Sequence, residues 1–223
     1  MRSTWHGEDM KRRVAILISG RGSNMAALIQ AAAAEDFPAQ IVVVVSNRSD
    51  AGGLETAKAS GVPTVTIESK PFGKDRAAFE AVLQSALERH RVDLICLGGF
   101  MRLFTAEFVQ RWYGRMLNIH PSLLPSFPGL DPQGQALRAG VKISGATVHF
   151  VIPETDAGPI LMQGAVAVRD DDTPNTLAAR ILAIEHRIYP EALRLLAGGQ
   201  IRLEGDICKT GSASPGDVLI SPT

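Results

Sequence analysis

The stretch VAILISGRGSNM, residues 14–25, joins five apolar residues to a glycine-rich turn that opens into a helix-forming segment. A continuous apolar run bounded by turn residues reads as a strand buried on both faces, and such strands belong to parallel sheets. The same kind of run recurs as IVVVVS (41–46), PTVTI (63–67), VDLICLGG (92–99) and RMLNIH (115–120). Between the runs, spacing and composition predict helices over Asn24–Glu35, Leu54–Ser60, Asp75–Arg91 and Thr105–Trp112. The β-α-β-α alternation predicts an α/β fold, a doubly wound and mainly parallel sheet with ligands at the carboxyl ends of its strands.

After a proline-rich loop the pattern changes. GATVHFVI (145–152) and ILMQGAVAV (160–168) predict an antiparallel extension, with PETDAGP (153–159) as the turn between them. Thr173 caps a last helix that starts at Pro174, runs to about Ala197 and stops at Gly198 and Gly199. The expected division is one catalytic domain over residues 13–204, an N-terminal extension over 1–12 and a polar tail over 205–223.

The 223 residues carry 23 basic and 23 acidic side chains, so no global field draws the protein to nucleic acid or an anionic membrane. Any bound anion needs local donors. Two cysteines form neither a disulfide framework nor a zinc pattern, and no segment reads as a signal peptide or membrane span. A cytoplasmic protein is the expectation.

Glycines at a strand-to-helix turn let backbone N–H groups approach an anion while the helix adds partial positive charge, so Gly22, Ser23 and Asn24 are candidate phosphate ligands. Met25 replaces the third glycine of the dinucleotide pattern, and VSNR ends the second strand without the acidic residue that holds a ribose. One phosphate therefore fits better than NAD. The same glycines also serve a plain tight turn, with Ser23 or Asn24 as a helix cap.

Asn118, His120 and Asp156 are the candidate catalytic residues. An asparagine amide can donate to a carbonyl oxygen that becomes negative, contributing about 3 kcal/mol. A histidine can pass protons near neutrality, and a carboxylate can hold the imidazole or take a proton through water. A structural histidine and a turn-forming aspartate are the competing readings. Glu185 interrupts an apolar helical stripe and needs a donor, from either a substrate hydroxyl or amine or a nearby arginine. No motif for a serine hydrolase or a bound metal is present, and Asp170–Asp172 reads as helix-capping acid ahead of Thr173.

SGRGSN, GGFMRLF, LNIHPSLLPSFPG, GATVHFV, DAGPIL and EHRIYP stand in this order along the chain, and together they closely resemble the phosphoribosylglycinamide formyltransferases. These are the folate-dependent glycinamide ribonucleotide transformylases of purine biosynthesis. The resemblance covers about residues 13 to 204. It implies the Rossmann-like formyltransferase fold, with the phosphate of glycinamide ribonucleotide on Gly22, Ser23 and Asn24 and its ribose on Glu185. It also implies 10-formyltetrahydrofolate as co-substrate along Met101, Arg102, Leu103 and Phe104, with Arg76 meeting the glutamate tail, and no metal. Asn118, His120 and Asp156 match the catalytic three. One departure is DPQGQAL (131–137), where such proteins usually carry histidine near Asp131 and Gln133. The two small substrates are the expected partners, and a homodimer is the assembly carried as an expectation. A formyltetrahydrofolate deformylase and a non-catalytic nucleotide-sensing module are the alternatives.

Overall fold

The computed structural model describes residues 11–210. Nine strands and six α-helices follow in the order β1 (Arg12–Ile18), α1 (Ser23–Ala32), β2 (Ala39–Ser46), α2 (Gly53–Ala59), β3 (Thr64–Thr66), α3 (Arg76–Arg89), β4 (Leu94–Leu97), α4 (Ala106–Arg111) and β5 (Met116–His120), then α5 (Pro132–Arg138), β6 (Ile143–Phe150), β7 (Ile160–Ala167), α6 (Pro174–Ala197), β8 (Ile201–Glu204) and β9 (Ile207–Thr210). The first seven strands form one sheet in the order β3-β2-β1-β4-β5-β6-β7. Strands β1 to β5 are parallel, β6 runs antiparallel to β5, and β7 is antiparallel to β6. The doubly wound parallel sheet with an antiparallel extension is thus the architecture found.

Strand alternation divides the core into two layers. Val14, Ile16 and Ile18 of β1 face a cluster built with α1, α2 and α6, while Ala15 and Leu17 face Phe79, Leu83, Phe108 and Trp112 on the α3–α4 side. Helix α6 lies close against the sheet because Gly164 of β7 has no side chain. A Cβ there would run into Ile184 Cγ2 and come within 3.1 Å of Ile188 Cγ2. Tyr189, fully buried on the same helix, reaches Leu97 O and Leu117 O at 3.1 Å each and so ties α6 to β4 and β5.

The element ends differ from the expected ones for local reasons. Asp75 and Thr105 stand outside their helices as N-caps, accepting from Ala78 N at 3.0 Å and Phe108 N at 3.2 Å. Helix α1 stops at Ala32 instead of Glu35, because Ala33 and Ala34 close i→i−3 turns that carry Phe37 into the core. One helix and one hairpin lie outside the predicted elements. Asp131 accepts from Gly134 N at 3.2 Å and starts α5 with Pro132 in the first turn. Within the expected polar tail, Gly205 and Asp206 turn the chain and β9 pairs with β8. Arg12, placed in the expected N-terminal extension, belongs to β1. Residues 1–10 and 211–223 of the expected extension and tail lie outside the described residues.

Gly164→Ala is expected to destabilise the fold by about 1–3 kcal/mol through overpacking, read as a lower urea midpoint. Gly52→Ala, where a Cβ meets nothing within 4 Å, is expected to stay within about 0.5 kcal/mol of the unaltered protein.

Candidate active site

The reversal from β5 to β6 builds the reacting end of the site. In this antiparallel pair Asn118 stands opposite His149 and His120 opposite Thr147, with the facing side chains on one side of the sheet. His120 is buried, and its Nε2 lies 3.0 Å from Phe127 O, a carbonyl that can only accept, so Nε2 carries the hydrogen. Its Nδ1 faces Asp156 Oδ2 at 3.4 Å, so a second proton on the ring completes an ion pair. Asp156 sits in the left-handed region at φ 54°, which an aspartate tolerates in a turn. The same Oδ2 accepts from Gly129 N at 2.9 Å, joining the PETDAGP turn to the proline-rich loop. Gly158 completes this turn, since a Cβ there would strike Phe150 O.

His149 belongs to the site although sequence reasoning did not select it. Its Nδ1–H donates to Phe150 O at 2.9 Å, which leaves Nε2 as an acceptor for Asn118 Nδ2 at 3.2 Å. The asparagine amide is thereby fixed in orientation. Burial lowers the His149 pKa and keeps the ring neutral, the form this hydrogen bond requires. The other nearby groups in play are Asp156, whose Oδ1 lies 3.9 Å from His149 Nε2, and His120. A signal was present: HFV lies on a strand whose pairing with LNIH sets the histidine against the asparagine.

A second part of the site follows β1. Gly22, at φ 70°, is the N-cap of α1, whose first amides have no partner within the helix and whose first turn holds no acid. Gly53 buttresses the turn: its N–H donates to Gly20 O at 3.0 Å, and a Cβ there would lie 2.6 Å from Ile18 Cδ1. These residues open onto a cavity of about 870 Å³ bordered also by Asn47, Ser69, Gly98 and Met101. Ser23 and Asn24 are no side-chain caps. Asn24 instead donates through Nδ2 to Glu185 Oε2 at 2.6 Å, and its buried Oδ1 has no partner. The donor that Glu185 needed is therefore an asparagine and not an arginine. Burial raises the Glu185 pKa, opposed by the Asn24 hydrogen bond.

The segment from Met101 to Phe104 crosses the ends of β1 and β4 without regular structure. Met101 and Leu103 expose apolar side chains, whereas Phe104 stacks between Phe100 and Phe108. Arg102 lies 4.7 Å above the Phe79 ring and donates to Gly73 O and Asp75 O, fastening the turn that carries the exposed Arg76. Asp131 is held by Arg138 at 3.1 Å, and Gln133 follows it on α5. Asp172 pairs with Arg180 and, as an acid ahead of the helix, accepts from Arg169 N at 2.7 Å. Among the described residues no group of three or more His, Cys, Asp or Glu side chains could hold a metal ion, and no helix is long and apolar enough to cross a membrane.

In this doubly wound α/β sheet a helix N-terminus open to a cavity follows the first strand and an oriented Asn–His–Asp cluster stands at the end of the fifth, groups able to hold an anion, polarise a carbonyl and carry a proton. The chain belongs to the formyl transferase family, which matches residues 12–193. It is 47% identical over 210 residues to the trifunctional purine biosynthetic protein adenosine-3 of Bos taurus, covering 93% of this chain and 21% of that protein. It is 40% identical over 187 residues to the phosphoribosylglycinamide formyltransferase of Bacillus subtilis, covering 84% of this chain and 95% of that one. The chain thus spans about a fifth of the length of the trifunctional relatives. The crystal structure of glycinamide ribonucleotide transformylase 1 from Symbiobacterium toebii superposes with a TM-score of 0.88 at 44% identity, over 93% of this chain and 100% of that one.

Because burial raises the Glu185 pKa, its ionised form is disfavoured in the folded state at pH 8 and the penalty vanishes as the carboxyl protonates. Glu185→Gln is expected to equal or exceed the unaltered protein in stability at pH 8 and to lose that advantage toward pH 4.5, as followed by urea denaturation at both pH values.

Proposed function

We propose that this chain transfers the formyl group of 10-formyltetrahydrofolate to the amine of glycinamide ribonucleotide. The observation that carries the reading is the pair of contacts at the end of β5, where Asn118 is oriented by His149 and His120 faces Asp156. The catalytic unit is proposed over residues 13–204, the range that includes every group used in this reading.

The loop of Gly22, Ser23 and Asn24 receives the nucleotide phosphate through backbone amides, since Asn24 Nδ2 is given to Glu185 and its Oδ1 repels an anion. That free Oδ1 and the Glu185 carboxylate are acceptors suited to ribose hydroxyls. Met101, at the edge of the same cavity, and the exposed Leu103 offer the folate an apolar surface, and Arg76 is exposed toward solvent to meet the glutamate tail.

The amine attacks the formyl carbon as its C–N bond forms, and the carbonyl oxygen gathers negative charge. Asn118 donates to that oxygen through the amide that His149 holds in place, and protonated His120 shares the charge. Asp156 balances the imidazolium and guides the amine proton toward the departing folate nitrogen as the old C–N bond breaks. No covalent enzyme intermediate is needed. Alignment of two bound substrates supplies a further part of the rate by removing the entropy of their encounter. A cytoplasmic location and a homodimer complete the proposed setting.

The test is formyl transfer from 10-formyltetrahydrofolate to glycinamide ribonucleotide, with folate product followed by absorbance and formylated nucleotide by mass. Both products are expected only when the nucleotide is present; equal formate release without it identifies hydrolysis, and no turnover removes the catalytic reading. His120→Ala and Asp156→Asn are expected to keep the fold and lower kcat by about two or more powers of ten. His149→Phe is expected to lower kcat by about ten-fold or more through a misoriented Asn118, with little change in either KM.

A further inference from the structure

Strand alternation carries past the ends of β1 and β2. Ser19 follows Ala15 and Leu17 on the α3–α4 side of the sheet, and Asn47 follows Val43 and Val45 on the same side. The two residues extend the neighbouring pair Ile18 and Ser46. Both are polar and buried, Ser19 at 8% exposure and Asn47 at 5%. Their side chains form a directed chain of hydrogen bonds. The Met101 N–H donates to Ser19 Oγ at 2.7 Å, Ser19 donates to Asn47 Oδ1 at 2.6 Å, and Asn47 Nδ2 donates to Ser69 Oγ at 3.3 Å. Ser19 and Asn47 also border the cavity, and Gly20, the next residue, begins the phosphate loop.

Met101 is the most exposed residue of the 101–104 segment. Its side chain is 76% exposed and its backbone has no strand or helix partner. The Ser19 hydroxyl satisfies its amide, and only a group that accepts and donates at once can serve both Met101 and Asn47. We propose that Ser19 and Asn47 are positioning residues for the Met101–Phe104 segment, setting the affinity for the formyl donor from a strut anchored beneath the nucleotide loop. The inference rests on the proposed function for the identity of the two ligands. Its structural core, that Ser19 holds the Met101 amide, stands apart from it.

Ser19→Ala leaves the Met101 N–H and Asn47 Oδ1 without their partner. The expected result is a KM for 10-formyltetrahydrofolate raised about ten-fold, with kcat and the KM for the nucleotide within about two-fold, because the lost contact serves binding of one substrate. Ser19→Thr, which keeps the hydroxyl, is expected to restore the lower KM. Amide exchange of the unliganded protein, read at Met101 by NMR, is expected to speed up in Ser19→Ala and Asn47→Ala and to stay slow in Asn47→Asp, which retains the acceptor. Equal rises in both KM values, or Met101 protection that Ser19→Ala leaves untouched, overturns the proposal. If the unaltered chain transfers no formyl group, the proposed function falls, while Met101 exchange still decides whether the strut exists.

Discussion

The register between β5 and β6 is the constraint on which the reacting end depends. Side chains alternate along a strand, so Asn118 and His120 share a face and their partners across the pair, His149 and Thr147, share it too. A slip of one residue would turn Asn118 and His120 toward α6 and bring Leu117 and Ile119 to the face these two now occupy. Several contacts hold the register against that slip. Thr147 Oγ1 donates to Ser122 O at 2.7 Å and accepts from Leu124 N at 3.0 Å, and Gln163 donates to Leu124 O at 2.8 Å. The loop so pinned supplies the Phe127 carbonyl to His120 and the Gly129 amide to Asp156. Strand pairing, loop and catalytic geometry are one construction.

The nucleotide side follows a different physical logic. A buried carboxylate with one hydrogen bond is costly, and Glu185 occupies a position where an apolar residue would complete the stripe of α6. The unpartnered Asn24 carbonyl adds a second unmet demand. Hydroxyl groups of the proposed nucleotide would meet both demands. Burial also raises the Glu185 pKa, so the ionised carboxyl costs the fold stability at this point.

Much of this was legible in the sequence because it rests on period and punctuation. The Val/Ile runs marked β1 to β5, and Thr173–Pro174 marked the start of α6 to the residue. The same cap-and-proline signal at Asp131–Pro132 was hidden by the glycine and glutamines of a seven-residue helix, and the IRLE–GD–ICKT hairpin by its place in a polar stretch. In the site, Asn118, His120 and Asp156 were visible as residues, but their meeting depends on a fold-back that spacing cannot give. His149 was passed over because its role is relational: it matters through the amide it faces across the strands. The Ser19–Asn47 strut has the same character, two ordinary strand-end residues made meaningful by a backbone amide 82 positions on.

The file of rings on the α3–α4 side runs from Phe72 through Phe79, Phe100, Phe104 and Phe108 to Trp112. Trp112 is the sole tryptophan among the described residues, only 3% exposed, with its indole N–H donating to Gln84 at 2.9 Å and the Arg115 guanidinium 4.5 Å above its ring. It terminates the stack that Phe100 and Phe104 enter from either side of Met101. The fold has therefore wired an optical reporter to the far end of the Met101–Phe104 segment: a shift in those rings changes the packing of the indole, and with it the colour and lifetime of its emission.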